Sequence, residues 1–251
     1  MNREVIINYP IRRIISLVPS QTELLCDLGL ETSLVGITKF CIHPQHLRKE
    51  LTIIGGTKNF RLDVIDTLNP DLIIGNKEEN YPEGIQQLTD KYPVWMSDIT
   101  DLSDALEMMT MVGNITETTQ RASQLIDKIT GTFNKIALPG HPFRVLYLIW
   151  KDPYMAAGTN TFIKDMIIRA GYQNAINIPR YPELSIEEIK SLKPDAIMLS
   201  SEPYPFNETH IGSLQRELPK CEIMLVDGEM FSWYGSRLVR AAEYFRQLRL
   251  Y

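Results

Sequence analysis

The sequence predicts an α/β fold with mainly parallel sheets, arranged as two lobes. Three observations lead to this prediction. Short apolar runs alternate with amphipathic helical patterns, a long apolar stripe occupies the middle of the chain, and a segment before this stripe is repeated after it. Strands that alternate with helices are typical of parallel sheets whose two faces are both buried.

Composition excludes several classes of protein. The 251 residues are 44% hydrophobic and 23% charged, which is ordinary for a soluble chain of one or two domains. The net charge is −5, and the basic residues form no run longer than the pair Arg12 and Arg13, so neither nucleic acid nor an anionic membrane surface is an expected partner. Three widely spaced cysteines do not form a disulfide framework or a Cys-x-x-Cys metal site.

Seven apolar runs are the predicted buried strands. They cover residues 13–18, 34–37, 72–75, 94–96, 145–150, 196–199 and 223–226. The first predicted helix follows the first strand. Ser20 and Glu23 have the spacing of a capping box, in which each side chain binds a backbone amide of the other residue, and Gly29 is expected to end this helix.

A single helical stripe predicts a long helix from about residue 116 to residue 136. Its apolar side chains recur with helical spacing, and the sequence Leu-Pro-Gly-His-Pro at 138–142 ends the pattern. Such a helix would span roughly 30 Å. We therefore expect a first α/β lobe at 1–115, a bridging helix at 116–138 and a second α/β lobe at 139–251.

An internal repeat indicates that the two lobes are built alike. Residues 62–73 and 186–197 match at a constant offset of 124 residues, and both segments predict a helix, a turn and a strand. The shared Pro-Asp pair is explained by the turn that enters the strand. Asp63 and Glu187 lie in the first turn of the two equivalent helices, where a carboxylate complements the helix dipole.

Motifs that indicate catalysis are absent from the sequence. Gly55-Gly56-Thr57-Lys58 lacks the upstream glycine of a phosphate-binding loop, and no Gly-x-Gly-x-x-Gly follows a strand. His43 and His46 are separated by Pro44, which favours surface or turn positions over metal ligands. We therefore predict no catalytic residue, no metal site, no covalently bound cofactor and no enzymatic activity.

Aromatic and amide residues stand in the loops at strand ends, where α/β sheets bind ligands. One such residue alone is more often part of the core, but proline and glycine beside many of them make core placement of all of them implausible. Together they predict a wide apolar cleft with hydrogen-bonding groups between the lobes. They include Phe40, Asn76, Tyr81, Trp150, Tyr154, Met155, Tyr181, Tyr204, Phe206, Phe231 and Trp233.

Several motifs, in this order, resemble the helical-backbone (class III) substrate-binding proteins of ABC importers, and within them the receptors for cobalamin. The motifs are Arg-Ile-Ile-Ser-Leu-Val-Pro-Ser-Gln-Thr-Glu-Leu-Leu at 13–25, Leu-Val-Gly-Ile-Thr at 34–38, Leu-Asn-Pro-Asp-Leu-Ile-Ile at 68–74, Ala-Gly-Thr at 157–159 and Leu-Lys-Pro-Asp-Ala-Ile at 192–197. The resemblance runs from about residue 13 to residue 248.

The resemblance implies two α/β lobes joined by a long helix, with a corrinoid or another metal chelate bound between them and delivered to an ABC permease. Such a protein carries its ligand without catalysis, and it is expected to be a monomer. The resemblance also implies that Asp63 and Glu187 dock onto arginines of the permease. By register it implies ligand contacts from Phe40, Thr57, Asn76, Met155, Tyr181, Glu229 and Trp233, and the strand-end aromatics Trp150 and Phe231 complete the predicted set.

Other functions stay open at this stage. Receptors of the same fold bind ferric siderophores or haem, and Tyr181 could supply an iron ligand to haem. A cytosolic corrinoid sensor and a two-lobed enzyme such as a glycosyl transferase are further alternatives. The resemblance implies a periplasmic or cell-surface location. The first ten residues lack the basic start and apolar run of a secretory signal, so the cytoplasm also stays open.

Overall fold

A computed structural model of the chain describes residues 4–248. These residues divide into two compact units. The first contains the chain up to Ile99, then Ser103–Lys128 and Tyr234–Arg237, and the second contains Thr100–Leu102, Ile129–Trp233 and the chain from Leu238 onward.

The first unit is built on a parallel sheet. The strands are β1 (Ile14–Ser16), β2 (Leu34–Ile37), β3 (Thr52–Ile53), β4 (Gly55–Gly56), β5 (Asn59–Phe60), β6 (Leu72–Asn76) and β7 (Val94–Ser97). Five of them form a sheet in the order β3-β2-β1-β6-β7, with every neighbouring pair parallel, and β4 and β5 form a separate antiparallel pair. The helices up to residue 133 are α1 (Pro19–Asp27), α2 (Leu47–Glu50), α3 (Leu62–Leu68), α4 (Pro82–Thr89), α5 (Leu102–Ile115) and α6 (Thr119–Phe133).

The second unit has a mixed sheet with a parallel centre. The strands are β8 (Arg144–Trp150), β9 (Tyr154–Ala156), β10 (Gln173–Asn174), β11 (Glu183–Leu184), β12 (Ala196–Ser200) and β13 (Glu222–Val226). The order is β11-β9-β8-β12-β13, with β10 also paired to β8. The pairs β8-β12, β12-β13 and β10-β8 are parallel, whereas β9 runs antiparallel to both β8 and β11. The helices are α7 (Phe162–Arg169), α8 (Ile186–Leu192), α9 (Glu208–Glu217), α10 (Gly228–Ser232) and α11 (Leu238–Gln247).

The predicted α/β class and all seven predicted strands are confirmed. Strands β1, β6 and β12 are entirely buried, as are residues 145–148 of β8, which explains why these stretches are predominantly apolar. No helix within residues 4–248 combines the length and apolarity that crossing a membrane requires.

The predicted capping box of α1 is wrong. Helix α1 begins at Pro19, its N-cap is Val18, and no side chain caps it. Proline is favoured at the first helical position because its missing N–H would have no partner there. Glu23 instead forms an ion pair with Arg237. A capping box does occur at α8, where the Ser185 side chain accepts from the Glu188 backbone amide and Glu188 Oε2 accepts from that of Ser185. The predicted end of α1 is confirmed, because Gly29 has a φ of +80°.

The predicted long helix is shorter than its apolar stripe. Helix α6 covers Thr119–Phe133 rather than 116–136, because Glu117 has a φ of 57° and separates α5 from α6. A left-handed residue cannot continue a right-handed helix. Helicity ends at Phe133, and the carbonyls of Thr130, Thr132 and Phe133 accept turn hydrogen bonds from the residues that follow.

The internal repeat corresponds to one structural device present once in each unit. Helices α3 and α8 each end at a residue in the left-handed conformation, and each is followed by Pro-Asp and a central strand. Asp71 Oδ2 accepts from the backbone N–H groups of Arg12 and Arg13 at 2.8 and 2.9 Å, and Asp195 Oδ2 accepts from that of Arg144 at 2.7 Å. Each aspartate therefore ties the start of its strand to the start of the neighbouring strand.

Candidate functional site

The carboxyl ends of the parallel strands in the first unit carry a buried network of amide and hydroxyl side chains. The Gln21 side-chain amide donates to Ser97 Oγ at 2.7 Å, and that of Asn76 donates to the same oxygen at 3.0 Å. Asn80 accepts from the backbone N–H of Asn76 and donates to the carbonyls of Leu17 and Thr57. These contacts join the loops that follow β1, β4 and β6 into one edge at the carboxyl end of the sheet.

Asn76 and Thr57 lie inside this edge. Asn76 is 2% exposed, and its side-chain oxygen accepts from the backbone N–H groups of Glu78 and Glu79. Thr57 is 8% exposed and contributes its carbonyl to Asn80. Gln21 is fully buried, and its Oε1 has no hydrogen-bond partner. Gln21, Asn80 and Ser97 are not among the residues predicted from the sequence, although each is a polar residue that follows a predicted strand.

Phe40 is the exposed aromatic residue of this edge. It follows β2, it is 49% exposed, and the ammonium group of Lys39 lies 5.0 Å from its ring centroid. A large apolar ring held at a strand end and open to solvent is the type of side chain that ligand sites in α/β proteins use.

In the second unit, an aromatic cluster stands at the end of β8. Trp150 is 40% exposed and contacts the edge of Tyr204 with ring centroids 5.5 Å apart. Tyr204 also packs against Phe206 at 4.7 Å. The Asn207 backbone N–H donates to His210 Nδ1, which leaves the proton on Nε2 to bond the Tyr204 hydroxyl at 3.1 Å. The cluster fixes Tyr204, and Tyr204 in turn supports the Trp150 ring.

Met155 and Tyr181 are positioned by backbone contacts beside this cluster. Met155 lies in β9, opposite Glu183 of β11, and Tyr181 lies two residues before that strand. The backbone N–H of Gly158 donates to the carbonyl of Arg180 at 2.8 Å. A Cβ atom at Gly158 would lie 1.9 Å from the Ile178 carbonyl oxygen, so only glycine permits this approach. The guanidinium of Arg180 lies 5.6 Å from the Tyr181 ring centroid.

Phe231 and Trp233 are buried, in contrast to Trp150. Phe231 is 0% exposed and packs against Tyr147 at 5.0 Å and Phe245 at 4.8 Å, so it has no exposed surface with which to touch a ligand. Trp233 is 7% exposed, and its indole N–H donates to Glu202 Oε1 at 2.9 Å. Its ring therefore positions a carboxylate.

Glu202 is the main residue of this unit that the sequence analysis missed. It follows β12, its Oε1 accepts from Ser232 Oγ at 2.7 Å as well as from Trp233, and burial is the largest cause that raises the pKa of this carboxyl. Glu229, a predicted ligand residue, is in the first turn of α10, and its charge also raises the pKa of Glu202. The available signal was a charged residue within three positions of the end of the predicted strand 196–199.

The predicted docking residues are both exposed. Asp63 lies in the first turn of α3 and Glu187 in the first turn of α8, as the repeat predicted. Glu187 is 77% exposed at its side chain and accepts from Lys190 at 3.1 Å, while Lys190 also pairs with Glu217.

His46 forms a hydrogen bond with a carboxylate on the surface of the first unit. Its Nε2 lies 2.7 Å from Glu31 Oε1, and this hydrogen bond raises the pKa of the imidazole. Glu50 lies nearby, and the ligand atoms of these three exposed residues lie within 4.8 Å of one another. Exposed acidic groups of this kind are common in proteins without a metal ion.

Comparison with known proteins identifies the family. Residues 14–217 match the model described as "Periplasmic binding protein". The chain belongs to the periplasmic binding protein family. This is a family of binding proteins, and membership therefore indicates a binding role.

Two curated relatives illustrate the range of this family. The chain is 25% identical over 209 residues to the "Uncharacterized ABC transporter substrate-binding lipoprotein YvrC" of Bacillus subtilis, covering 78% of this chain and 66% of that protein. It is 24% identical over 194 residues to the "Vitamin B12-binding protein" of Yersinia pestis, covering 75% and 69%. This periplasmic binding protein thus spans about two thirds of the length of these relatives.

Two solved structures share its fold. The vitamin B12-binding protein BtuF of Vibrio cholerae has a TM-score of 0.79 at 21% identity, over 95% of this chain and 96% of that one. The haem-binding protein RhuT of Roseiflexus has a TM-score of 0.77 at 23% identity, over 95% and 97%.

Proposed function

We propose that this periplasmic binding protein is the receptor of an ABC importer, and that it captures a corrinoid and delivers it to a permease. The observation that carries the proposal is the pair of exposed aromatic residues at carboxyl strand ends, Phe40 in the first unit and Trp150 in the second. Flat or rounded metal chelates bury their faces well against such rings.

The polar groups around these aromatics favour a corrinoid. Its periphery carries amide side chains, which both donate and accept hydrogen bonds. The second unit carries the carboxylates of Glu202 and Glu229 after β12 and β13, the strands that follow β8 in the sheet order. In the first unit, buried amides hold the strand-end loops, and two lysines there are already engaged, Lys58 by the Glu78 carbonyl and Lys77 by Asp98. The vitamin B12-binding relative in Yersinia is consistent with this ligand class.

The remaining predicted residues have separable roles in this proposal. Met155 and Tyr181 contact the ligand on the same side as Trp150. Met155 pairs with Glu183 of β11, and Tyr181 lies in the loop just before that strand, so the β9-β11 pairing brings the two residues close. Asn76 and Thr57 act by positioning the loops of the first unit, and Trp233 by orienting Glu202.

Haem is the second candidate ligand. Arg180 stacks on Tyr181, and this pair could serve a haem through a phenolate on iron and a guanidinium beside a propionate. The haem-binding structure from Roseiflexus shares the fold.

Asp63 and Glu187 are the proposed permease contacts. The two equivalent, exposed carboxylates would orient the receptor on a basic permease surface and speed the encounter. A receptor that docks onto an importer works outside the cytoplasm, and the name of the Bacillus lipoprotein is consistent with such a location.

Calorimetric titration of the purified chain with cyanocobalamin, haemin and a panel of ferric siderophores tests the proposal. Binding of cyanocobalamin with a Kd of about 1 μM or below supports it, since this corresponds to roughly 8 kcal/mol. Haemin binding without corrinoid binding selects the second candidate. Failure of every chelate to bind overturns the receptor function.

A further inference from the structure

Glu202 is held in place by groups that converge on one oxygen. Ser232 Oγ donates to its Oε1 at 2.7 Å and Trp233 Nε1 donates to the same atom at 2.9 Å. Trp233 is almost fully buried, so its indole has a fixed orientation. Two donors on one oxygen fix the direction in which the carboxylate points.

The backbone beneath Glu202 is equally well defined. The backbone N–H of Gly228 donates to Ser201 Oγ at 2.9 Å, which joins the loops after β12 and β13. A Cβ atom at position 228 would lie 2.6 Å from Glu202 Cγ and 2.4 Å from Ser200 Oγ, so glycine is required for this packing. The buried Tyr147 hydroxyl donates to Ser200 Oγ at 3.1 Å.

Two further carboxylates act on Glu202. Glu229 and Asp227 follow β13, and their charges add to burial in raising the pKa of Glu202. Asp227 is engaged as the N-cap of α10, where it accepts from the Glu229 backbone N–H. Placing acidic groups together in a partly buried position lowers stability, and such positions are concentrated at functional sites.

We propose that Glu202 is a specificity-determining residue, which accepts a hydrogen bond from an N–H donor of the ligand and disfavours ligands that place a carboxylate there. The proposal rests on the proposed function, because it assumes that the ligand reaches the carboxyl ends of β8, β12 and β13. It assigns the ligand a neutral, amide-bearing periphery at this point.

Two corrinoids that share one ring test the charge preference directly. Dicyanocobinamide carries amide side chains, whereas dicyanocobyrinic acid carries carboxylic acids at the corresponding positions. Both are titrated at pH 7.5 into the wild-type chain, Glu202→Gln and Glu222→Gln. Gln keeps an oxygen for Ser232 and Trp233 but removes the charge. Glu222 is the matched control. It is also a partly buried glutamate, but it lies at the amino end of β13, whereas Glu202 follows the carboxyl end of β12 in the same sheet.

The wild-type chain is expected to bind the amide form about 100-fold more tightly than the acid form, because like charges brought together across a binding interface disfavour association by this order. Glu202→Gln should reduce this ratio about tenfold. The acid form should bind more tightly because one like charge is removed, and the amide form should lose one charge-assisted hydrogen bond; each change has an effect of this order. Glu222→Gln should leave the ratio unchanged.

The outcomes separate the two proposals. Corrinoid binding with the same amide-to-acid ratio in Glu202→Gln and in the wild-type chain overturns the role of Glu202 and leaves the receptor function intact. An equal change of the ratio in Glu222→Gln also overturns it, because the effect is then one of net charge. Failure of the wild-type chain to bind either corrinoid overturns the proposed function and the role of Glu202 with it.

Discussion

The guanidinium of Arg237 donates two hydrogen bonds to the carboxylate of Glu23, from Nε to Oε2 at 2.8 Å and from Nη2 to Oε1 at 2.7 Å. Both residues are almost fully buried, and 214 positions separate them in the chain. Arg237 belongs to the short segment Tyr234–Arg237, which is part of the first unit although the chain on either side of it is in the second. The ion pair therefore anchors this segment to α1.

Glu23→Gln is expected to destabilise the protein by about 3–5 kcal/mol, because it leaves the buried guanidinium without its counter-charge. Chemical denaturation measures the change. The double variant Glu23→Leu with Arg237→Met removes both charges and should recover part of the loss. A single variant as stable as the wild-type chain would contradict the anchoring role.

Trp150→Ala should mainly weaken ligand binding, whereas Trp233→Ala should mainly lower the stability of the fold. Trp150 is 40% exposed and packs on the edge of Tyr204, so its loss should cost only about 1 kcal/mol of stability while weakening ligand binding about tenfold. Trp233 is buried, and its loss should cost about 3–5 kcal/mol. Thermal unfolding and calorimetric titration distinguish the two effects. Trp233→Phe, which keeps much of the ring volume but loses the N–H to Glu202, is the control for packing.

Glu202→Gln should raise the thermal stability at neutral pH. Burial raises the pKa of Glu202 in the folded state, so the folded protein favours the neutral acid. The stabilisation from this preference is complete below the pKa of the unfolded chain and is lost as the pH rises through the folded-state pKa. The stability difference between variant and wild type should therefore be present at pH 7.5 and vanish near pH 4. A difference independent of pH would refute this explanation.

The three cysteines are free thiols and should react slowly in the folded protein. Burial, followed by the charge of Glu31, raises the pKa of Cys26 to about 12, and burial raises that of Cys221 to about 11. Thiolate is the reactive form, so both groups are largely protonated at pH 8. Titration with Ellman's reagent should give slow labelling before denaturation and three thiols after it. Immediate labelling of one thiol would contradict the structure.

Asp63→Lys and Glu187→Lys should lower ligand uptake without changing ligand affinity. Each reverses a charge that the proposed docking surface presents to the permease. Uptake of labelled cyanocobalamin is measured in cells whose own receptor is replaced by each variant. Glu208→Lys, an exposed carboxylate in the first turn of α9, is the matched control. Uptake equal to that of the control would exclude these two residues as docking contacts.

The sequence alone determined the α/β class, all seven of its predicted strands and the repeated helix-turn-strand device. These features are local, because a buried parallel strand must be apolar throughout and the turn before it needs Pro-Asp or an equivalent. The order of motifs also indicated the family, which the match over residues 14–217 confirms.

Only the tertiary structure decided which polar and aromatic residues are available to a ligand. Ser20 and Glu23 have the spacing of a capping box, yet Glu23 binds Arg237. Phe231, Trp233 and Trp150 are all aromatic residues near strand ends, but the first is in the core, the second orients Glu202, and the third is exposed. Their roles depend on partners distant in the chain, and local spacing carries no information about such partners.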